Sequence, residues 1–438
     1  MLIGIFIYLT VAVACAKTIY VPDDYPRIQW AIDNATSGDL IIVRDGVYNE
    51  SIVIGKSYLT VTSENGSDMC VIHPADINYT ILITGSHISL DGLTINGSGL
   101  YGIIVDGASS VRIASSVVCN FISGLTARSS YDVELVSNTI RENMAGLSIN
   151  DTSKVVVRDN EISRNIVGLI LTNSSNVHIM ENDISENTIN LILNNSNNVS
   201  IIDNTVMKSL IGIALQRSNF NTIRNCIVRE NLVGITLNES SNNVIAENNA
   251  VNNTLGIFVS GPSNEISDNV IFSSIVGILL DFSDNEVHEN EIKGNFIGIS
   301  VNSSGNVIYM NDFVANNVHA TAMLKNVWNT TSPITYGFRG KTFTNYLGNY
   351  WGGYSVKDEN GDGVGDKPYK INDMNIDHHP LLDRFKKYKF TVAGWRVYDH
   401  NGNRKIDDDE LIEAITDWLN SKINDTLLIE IITLWLKS

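Results

Sequence analysis

The chain has 438 residues, with 30 Lys+Arg against 48 Asp+Glu and a formal charge of −18. That length exceeds one ordinary core of about 100–150 residues, so the chain is several domains or a repeat array. Hydrophobic residues at 43% exclude a disordered chain, the acidic balance argues against a nucleic-acid partner, and 4 Cys are too few for a disulfide scaffold of this size.

Leu2 to Ala14 is apolar and ends in the small residues Ala14-Cys15-Ala16. This predicts a secretory signal peptide over residues 1–16, cleaved before Lys17. Its n-region has no Lys or Arg, so an uncleaved anchor and a lipid-modified Cys15 are the alternatives. Thirteen apolar residues are short of the roughly 20 that span a bilayer. No later stretch is long enough to span, since Leu427 to Leu436 is short and carries Glu430. Cys70, Cys119 and Cys226 are far apart and read as small buried hydrophobes. Fourteen Asn-X-Ser/Thr sequons, Asn150, Asn173 and Asn194 among them, favour a glycosylated exterior. The expected location is secreted or on the extracellular cell surface.

In Pro26 to Ala35, Ile28, Ala31, Ile32 and Ala35 recur at helical spacing. That predicts an amphipathic helix suited to covering the first rung of a stack. Leu40–Val43, Ser51–Ile54 and Tyr58–Thr62 read as strands of irregular first rungs, so residues 17–100 form an N-terminal cap and the beginning of the repeat array.

From residue 101 to about 330 the chain keeps a period near 22. Gly102, Gly124, Gly146, Gly168, Asn190, Gly212, Gly234 and Gly256 are spaced by 22, and Gly277 and Gly298 follow at 21. The residues one and three later are mostly apolar, as in Leu147 with Ile149, which is the alternation of a half-buried strand. Two Asn columns travel with them. One is Asn138, Asn160, Asn182 and Asn204, continued through Asn225, Asn248, Asn269, Asn290 and Asn311; the other is Asn143, Asn165, Asn187, Asn231, Asn253 and Asn295. Each repeat then holds three short strands and cannot bury its own inward side chains. Stacking does so, and identical Asn side chains bond along a column at about 4.8 Å. A leucine-rich repeat wants Leu at fixed places and a helical return, and a propeller blade needs about 40 residues. The prediction is an all-β, right-handed parallel β-helix with about 22 residues per rung.

The residue before the first Asn column is acidic in two trios: Asp159, Glu181 and Asp203, then Glu247, Asp268 and Glu289, with Arg224 between them. Stacked carboxylates could hold calcium or act on a sugar. They belong to the repeat and do not stand out from it, which favours a solvated turn. No rung shows an irregular cluster of acid, base and aromatic groups, so no catalytic residue is assigned. The alternative of a polysaccharide lyase, hydrolase or epimerase acting on acidic glycans stays open.

Residues 331–388 read as a C-terminal cap with an acidic loop. Asp358, Asn360, Asp362 and Asp366 place oxygens at alternate positions with glycines between them, and the Val364 carbonyl adds another. Such a loop wraps a hard cation, here calcium; position 12 would be Tyr369, so the usual closing Glu is missing. Residues 389–438 offer a second loop. Asp399, Asn401, Asn403, the Lys405 carbonyl, Asp407 and Glu410 fall at EF-hand ligand positions, with Arg404 where Gly is usual. KIDDDELIEAITDWL (405–419) matches KINDTLLIEIITLWL (422–436) at ten of fifteen positions, with Leu427 in place of Glu410. This predicts a small α-helical EF-hand or dockerin-like module with one live and one dead loop, its helices packed through Trp418, Trp435 and the leucines.

TIYVPDDYPRIQWAIDNATSGDLIIVRDGVYNESIVI, the Asn/Gly repeats and FTNYLGNYWGGYSVKDENGDGVGDKPY resemble the NosD-like β-helix surface proteins of archaea over roughly residues 17–385. The tail from about Thr391 resembles a dockerin-type or EF-hand module. The resemblance implies a secreted β-helix of the pectin-lyase-like superfamily, and for some relatives a copper-handling role. Copper needs clustered soft or imidazole ligands. Here His73, His87, His178, His288 and His319 are scattered, and only His378-His379, beside Asp377, are adjacent. The functional expectation is a non-catalytic surface protein. It would bind polysaccharide or cell-envelope glycan, hold calcium, and dock a cohesin-like protein through residues 389–438. It would have no nucleic-acid partner and no membrane span after signal removal.

Overall fold

The computed structural model describes residues 16–390, 398, 406–419 and 425–436. The expected signal peptide therefore lies almost wholly outside the described residues. The chain forms two compact units, Met1–Ser218 and Asn219–Ser438.

In the first unit every turn of chain lays down three short strands, and each pairs in parallel with the equivalent strand one turn later. Tyr131 pairs with Ser153, Ser153 with Ser175 and Ser175 with Asn197, a constant step of 22. The second sheet keeps the same step, Leu125 to Leu147 to Leu169 to Leu191, as does the third, Ile140 to Ile162 to Ile184. In these two sheets strand alternation sends the named residues inward, where all are fully buried in columns of Ile and Leu. Each column removes apolar surface at about 25 cal/mol per Å². The open first rung is covered by the helix Ile28–Asn34, as its periodicity predicts. No side chain of the helix caps it; the Glu50 carboxylate accepts the Ile28 and Gln29 N–H groups at 3.0 and 3.1 Å.

The second unit has the same three-sheet turn. Its step shortens from 22 between Thr222 and Val244 to 21 from Val244 through Glu265 and Glu286 to Val307. The missing residue comes out of the turn at Gly261. A Cβ there would sit 2.1 Å from the Ser240 carbonyl oxygen, so only glycine allows the tighter path. Beyond the last rung, the hairpin Ile334–Phe338 and Lys341–Asn345 takes Lys389–Phe390 as a third antiparallel strand. Tyr336, Phe338, Leu347, Val364, Leu381, Phe385 and Tyr388 form an aromatic-rich core beside it.

The tail contributes the helices Asp408–Leu419 and Asp425–Trp435 around a core of Tyr398, Ile406, Ala414 and Ile431. Leu411, Leu427, Leu434 and Trp435 pack against that core, and Trp418 stays 37% exposed. No helix among the described residues is long and apolar enough to cross a membrane.

The Asn columns are hydrogen-bonded ladders. In unit 1 the Asn138 N–H and Nδ2 both donate to Asn160 Oδ1, and the pattern repeats from Asn160 to Asn182 and on to Asn204. In unit 2 one register differs from the sequence reading. Cys226, not Asn225, stands in the ladder, and its N–H donates to Asn248 Oδ1 at 2.9 Å. Asn225 occupies the left-handed position before it (φ 50°), where the acidic residues of other rungs sit. A further ladder was not expected. It is built of hydroxyls in unit 1, where Thr152 N–H donates to Ser174 Oγ and Ser174 N–H to Ser196 Oγ. In unit 2 it is built of amides, from Asn221 through Asn243, Asn264 and Asn285 to Asn306. Cys70, Cys119 and Cys226 are buried, as expected, and none is in a disulfide among the described residues.

Candidate functional site

The ladders fix where outward groups stand. Asp159, Glu181 and Asp203 occupy left-handed turn positions and are exposed, so in unit 1 the solvated-turn reading holds. In unit 2, Arg224 does not interrupt the acidic column. It stands one residue earlier on the strand and grips Glu247 with two hydrogen bonds of 3.1 and 2.6 Å, which hold that carboxyl below its ordinary value. Asp268 is pushed up to about 6 by partial burial and by the like charge of Glu289, although its outer edge is solvent-exposed. Among the described residues, no three His, Cys, Asp or Glu side chains are placed to hold a metal ion.

Unit 2 does contain an irregular cluster of acid, base and aromatic groups, contrary to the sequence reading. His288 is 5% exposed; its Nε2 meets Glu265 Oε1 at 3.1 Å and its Nδ1 lies 3.5 Å from Glu289. Burial alone would lower its pKa, but the bonds to Glu265 and Glu289 outweigh it and raise the imidazole to about 9. Tyr309 stacks on the ring at 5.0 Å and donates its hydroxyl to Glu286. One sequence signal could have found it. Glu265, Glu286 and Val307, like Ser267, His288 and Tyr309, repeat at the 21-residue step on an outward face. An imidazole this buried and paired offers no edge to a sugar, so the cluster is structural.

The 358–366 loop closes on itself. Asp358 accepts the N–H groups of Gly361, Asp362 and Gly363, Asp362 accepts that of Val364, and Asp366 accepts that of Glu359. Tyr336 donates its hydroxyl to the Asp362 carbonyl at 2.9 Å, and Tyr388 does so to that of Gly363. Asp358, Asp362 and Asp366 thus brace the turn with their side-chain oxygens, and Val364 is buried in the aromatic core. Of the second set, Asp399, Asn401, Asn403 and Lys405 lie outside the described residues. Asp407 and Glu410 form a capping box, each accepting the other's N–H at 3.1 Å, at the start of Asp408–Leu419.

The motif around Gly348-Asn349-Tyr350-Trp351 ends a ladder. Asn311 N–H donates to Asn349 Oδ1, and Asn349 N–H donates to Asp377 Oδ2 at 2.7 Å. Trp351 Nε1 reaches the same oxygen at 2.8 Å, while His379 N–H takes Oδ1. Asp377 is fully buried, and desolvation raises it to about 7 against those three donors. His379 packs on Tyr346 and His378 is exposed, so the adjacent imidazoles belong to this terminus.

The open feature lies in unit 1, on the turn from the third sheet to the second. Ile122, Met144 and Ile166 stand there in a row, each about half exposed, and Leu210 follows beyond the exposed Thr188. Beside them run Glu142, Arg164, Glu186 and Lys208 at left-handed positions, with Arg164–Glu142 at 3.9 Å and Lys208–Glu186 at 3.4 Å. A groove of about 670 Å³ follows the row past Asn120, Met144 and Ile166.

Comparison with known proteins agrees with this geometry. The family model of NosD, a periplasmic copper-binding protein, matches residues 182–356, and that of the right-handed β-helix region matches 47–189 and 79–251. A cell surface glycoprotein of Methanothermus fervidus is 33% identical over 111 residues, which is 25% of this chain and 18% of that protein. The chain thus spans under a fifth of that relative's length. The Dettilon tailspike protein superposes with a TM-score of 0.55 at 14% identity, over 73% of this chain and 72% of that one. A mannuronan C-5 epimerase A-module from Azotobacter vinelandii gives 0.48 at 17% identity, over 69% and 96%. With parallel sheets stacked turn on turn, ladders along their corners and both models running over them, the chain is a right-handed parallel β-helix protein.

Proposed function

We propose that this β-helix is displayed at the cell envelope, binds polysaccharide along the exposed turn of unit 1, and holds calcium in its C-terminal loops. The row of Ile122, Met144 and Ile166, with Leu210 beyond Thr188, beside Glu142, Arg164, Glu186 and Lys208 carries the reading. A pyranose ring has apolar C–H faces and polar edges, so it needs an apolar strip with hydrogen-bonding groups next to it. Stacked rungs repeat that pair at about 4.8 Å, which suits a polymer. Likeness to a cell surface glycoprotein supports the envelope location. A glycan array compares the chain with an Ile122→Ser, Met144→Ser, Ile166→Ser variant. Binding should fall at least about tenfold with the melting temperature unchanged. Equal binding removes the row from the function. Product release from an acidic polysaccharide, abolished by Glu181→Gln with Asp203→Asn, would establish the enzyme reading instead.

The calcium part is supported by ligand spacing at 358–366 and 399–410. Calorimetry of the full chain should show one tail site, lost in Asp399→Ala with Glu410→Ala, and a separate site lost in Asp358→Ala. Two equal tail sites, or none, overturn the live-and-dead assignment. The tail's docking to a cohesin-like protein is supported by Ile412, Leu419, Ile429 and Leu436, all largely exposed on or beside the two terminal helices.

A further inference from the structure

In a chain of charge −18, cations gather at one place in unit 2. A cavity of about 600 Å³ opens beside the hairpin, lined by Arg339, Lys341, Lys387 and Lys389, with Asp383 as its one acid. None of these four cations forms an ion pair with a carboxylate among the described residues. The neighbouring Arg384, by contrast, is engaged with Glu291 at 3.2 Å. The register explains the hollow. Gly337 pairs with Thr342 on one side and with Lys389 on the other, so the three share a face and glycine leaves the middle of it empty. A Cβ at Gly337 would meet its nearest atom at 3.5 Å, so a side chain there fills the hollow without a backbone clash. Arg339 is steadied over the Phe338 ring at 5.0 Å, which orders its guanidinium at the rim.

Four cations without an ion pair among the described residues, against the single Asp383, suit a ligand with more than one negative charge. A phosphate monoester carries roughly −1.5 to −2 and three acceptor oxygens, which suits lysine point charges and an arginine fork. The volume suits a phosphate with one or two sugar rings; a duplex or a bilayer face needs a broad surface. We infer that this cavity binds a phosphorylated sugar residue of an envelope polymer. The inference rests on the glycan-binding reading and adds where, and which class of sugar.

Isothermal calorimetry of the full chain tests it with glucose 1-phosphate, inorganic phosphate, glucose and phosphatidylglycerol vesicles as separate probes. The phosphosugar should bind more tightly than inorganic phosphate, and glucose should not bind at this site. Lys387→Gln with Lys389→Gln should weaken the phosphosugar about tenfold or more. Gly337→Val, which leaves every charge in place, should weaken it comparably while melting is unchanged. Undiminished binding in Gly337→Val overturns the shaped site in favour of diffuse charge. Vesicle binding without phosphosugar binding overturns the sugar class. If neutral polymers bind the unit 1 row while no phosphosugar binds, only this inference fails; if nothing on the array binds, the wider reading fails with it.

Discussion

Asn160 shows how much one side chain contributes to a rung. Its Oδ1 accepts the N–H and Nδ2 of Asn138, and its Nδ2 donates to the carbonyls of Leu135 and Arg158 and to Asn182 Oδ1. Asn160→Ala strands the donors of Asn138 and the acceptors of Leu135 and Asn182 in a dry corner, so it should cost about 2–4 kcal/mol in urea denaturation. A loss under about 1 kcal/mol would mean that water replaces the amide. The ladders were legible because identical residues recurred at one step, and they were misread where the recurrence broke. Cys226 keeps the register through its backbone N–H, so the nearby Asn225 looked like the better member. Asn190 shows how a break is repaired. It stands in the glycine column, and Ser209 holds the next place in the Asn column. Asn190 Oδ1 accepts Asn187 Nδ2 at 2.9 Å, supplying the bond a rung neighbour would make. Gly348 shows the opposite limit. A Cβ there would lie 1.9 Å from Asp377 Oδ1, so Gly348→Ala should destabilise the end of unit 2 by more than about 2 kcal/mol, read as a lower denaturation midpoint.

At the scale of elements, the last rungs of unit 2 and the segment against them concentrate buried ionisable groups. Desolvation raises Asp312 to about 6 even though it accepts the Phe385 N–H, and Asp377 to about 7. His288, opposed by burial but held by Glu265 and Glu289, stands near 9. All three bind protons more tightly folded than unfolded, so each loses stability as pH rises. The aspartates lose theirs between about 4 and 6–7, their unfolded value being near 3.9. His288 contributes fully below about 6.5 and loses its contribution as pH passes 9. Unit 2 should therefore melt higher at pH 5 than at pH 9.5, and His288→Gln should flatten the alkaline part, worth on the order of 2–3 kcal/mol. A profile that rises from pH 5 to 9.5 would contradict the cluster. Apart from the 21-residue step that aligns His288 with its neighbours, these contacts were not visible in the sequence, where such groups can stand far from their partners: Asp312 meets Phe385 across 73 residues, and Glu291 meets Arg384 across 93. Periodicity reports what a residue shares with its column. It is silent about a segment that returns from outside the repeat.

For the whole molecule, the arithmetic of the step should matter more than the identity of any rung. Each rung of unit 1 touches its neighbours through the same register, so removing a complete turn leaves every remaining residue opposite an equivalent one. Deleting residues 156–177 joins Val155 to His178, the register partner of Val156, and restores the inward columns of Val155 and Ile179 without a gap. This 22-residue deletion should fold, with the melting temperature lowered by no more than about 5 °C. Deleting residues 156–176 instead joins Val155 to Val177, two inward residues in succession. Alternation then fails within the strand, and one of the two must face water or the strand must bulge. Far-UV circular dichroism and limited proteolysis should separate the two, the shorter deletion melting well below the longer one. If both behave alike, the solenoid absorbs a one-residue slip inside a strand as it absorbs one at Gly261, where a glycine corner takes up the change. The 22-residue beat would then record the length of the corners and not the alternation of the strands.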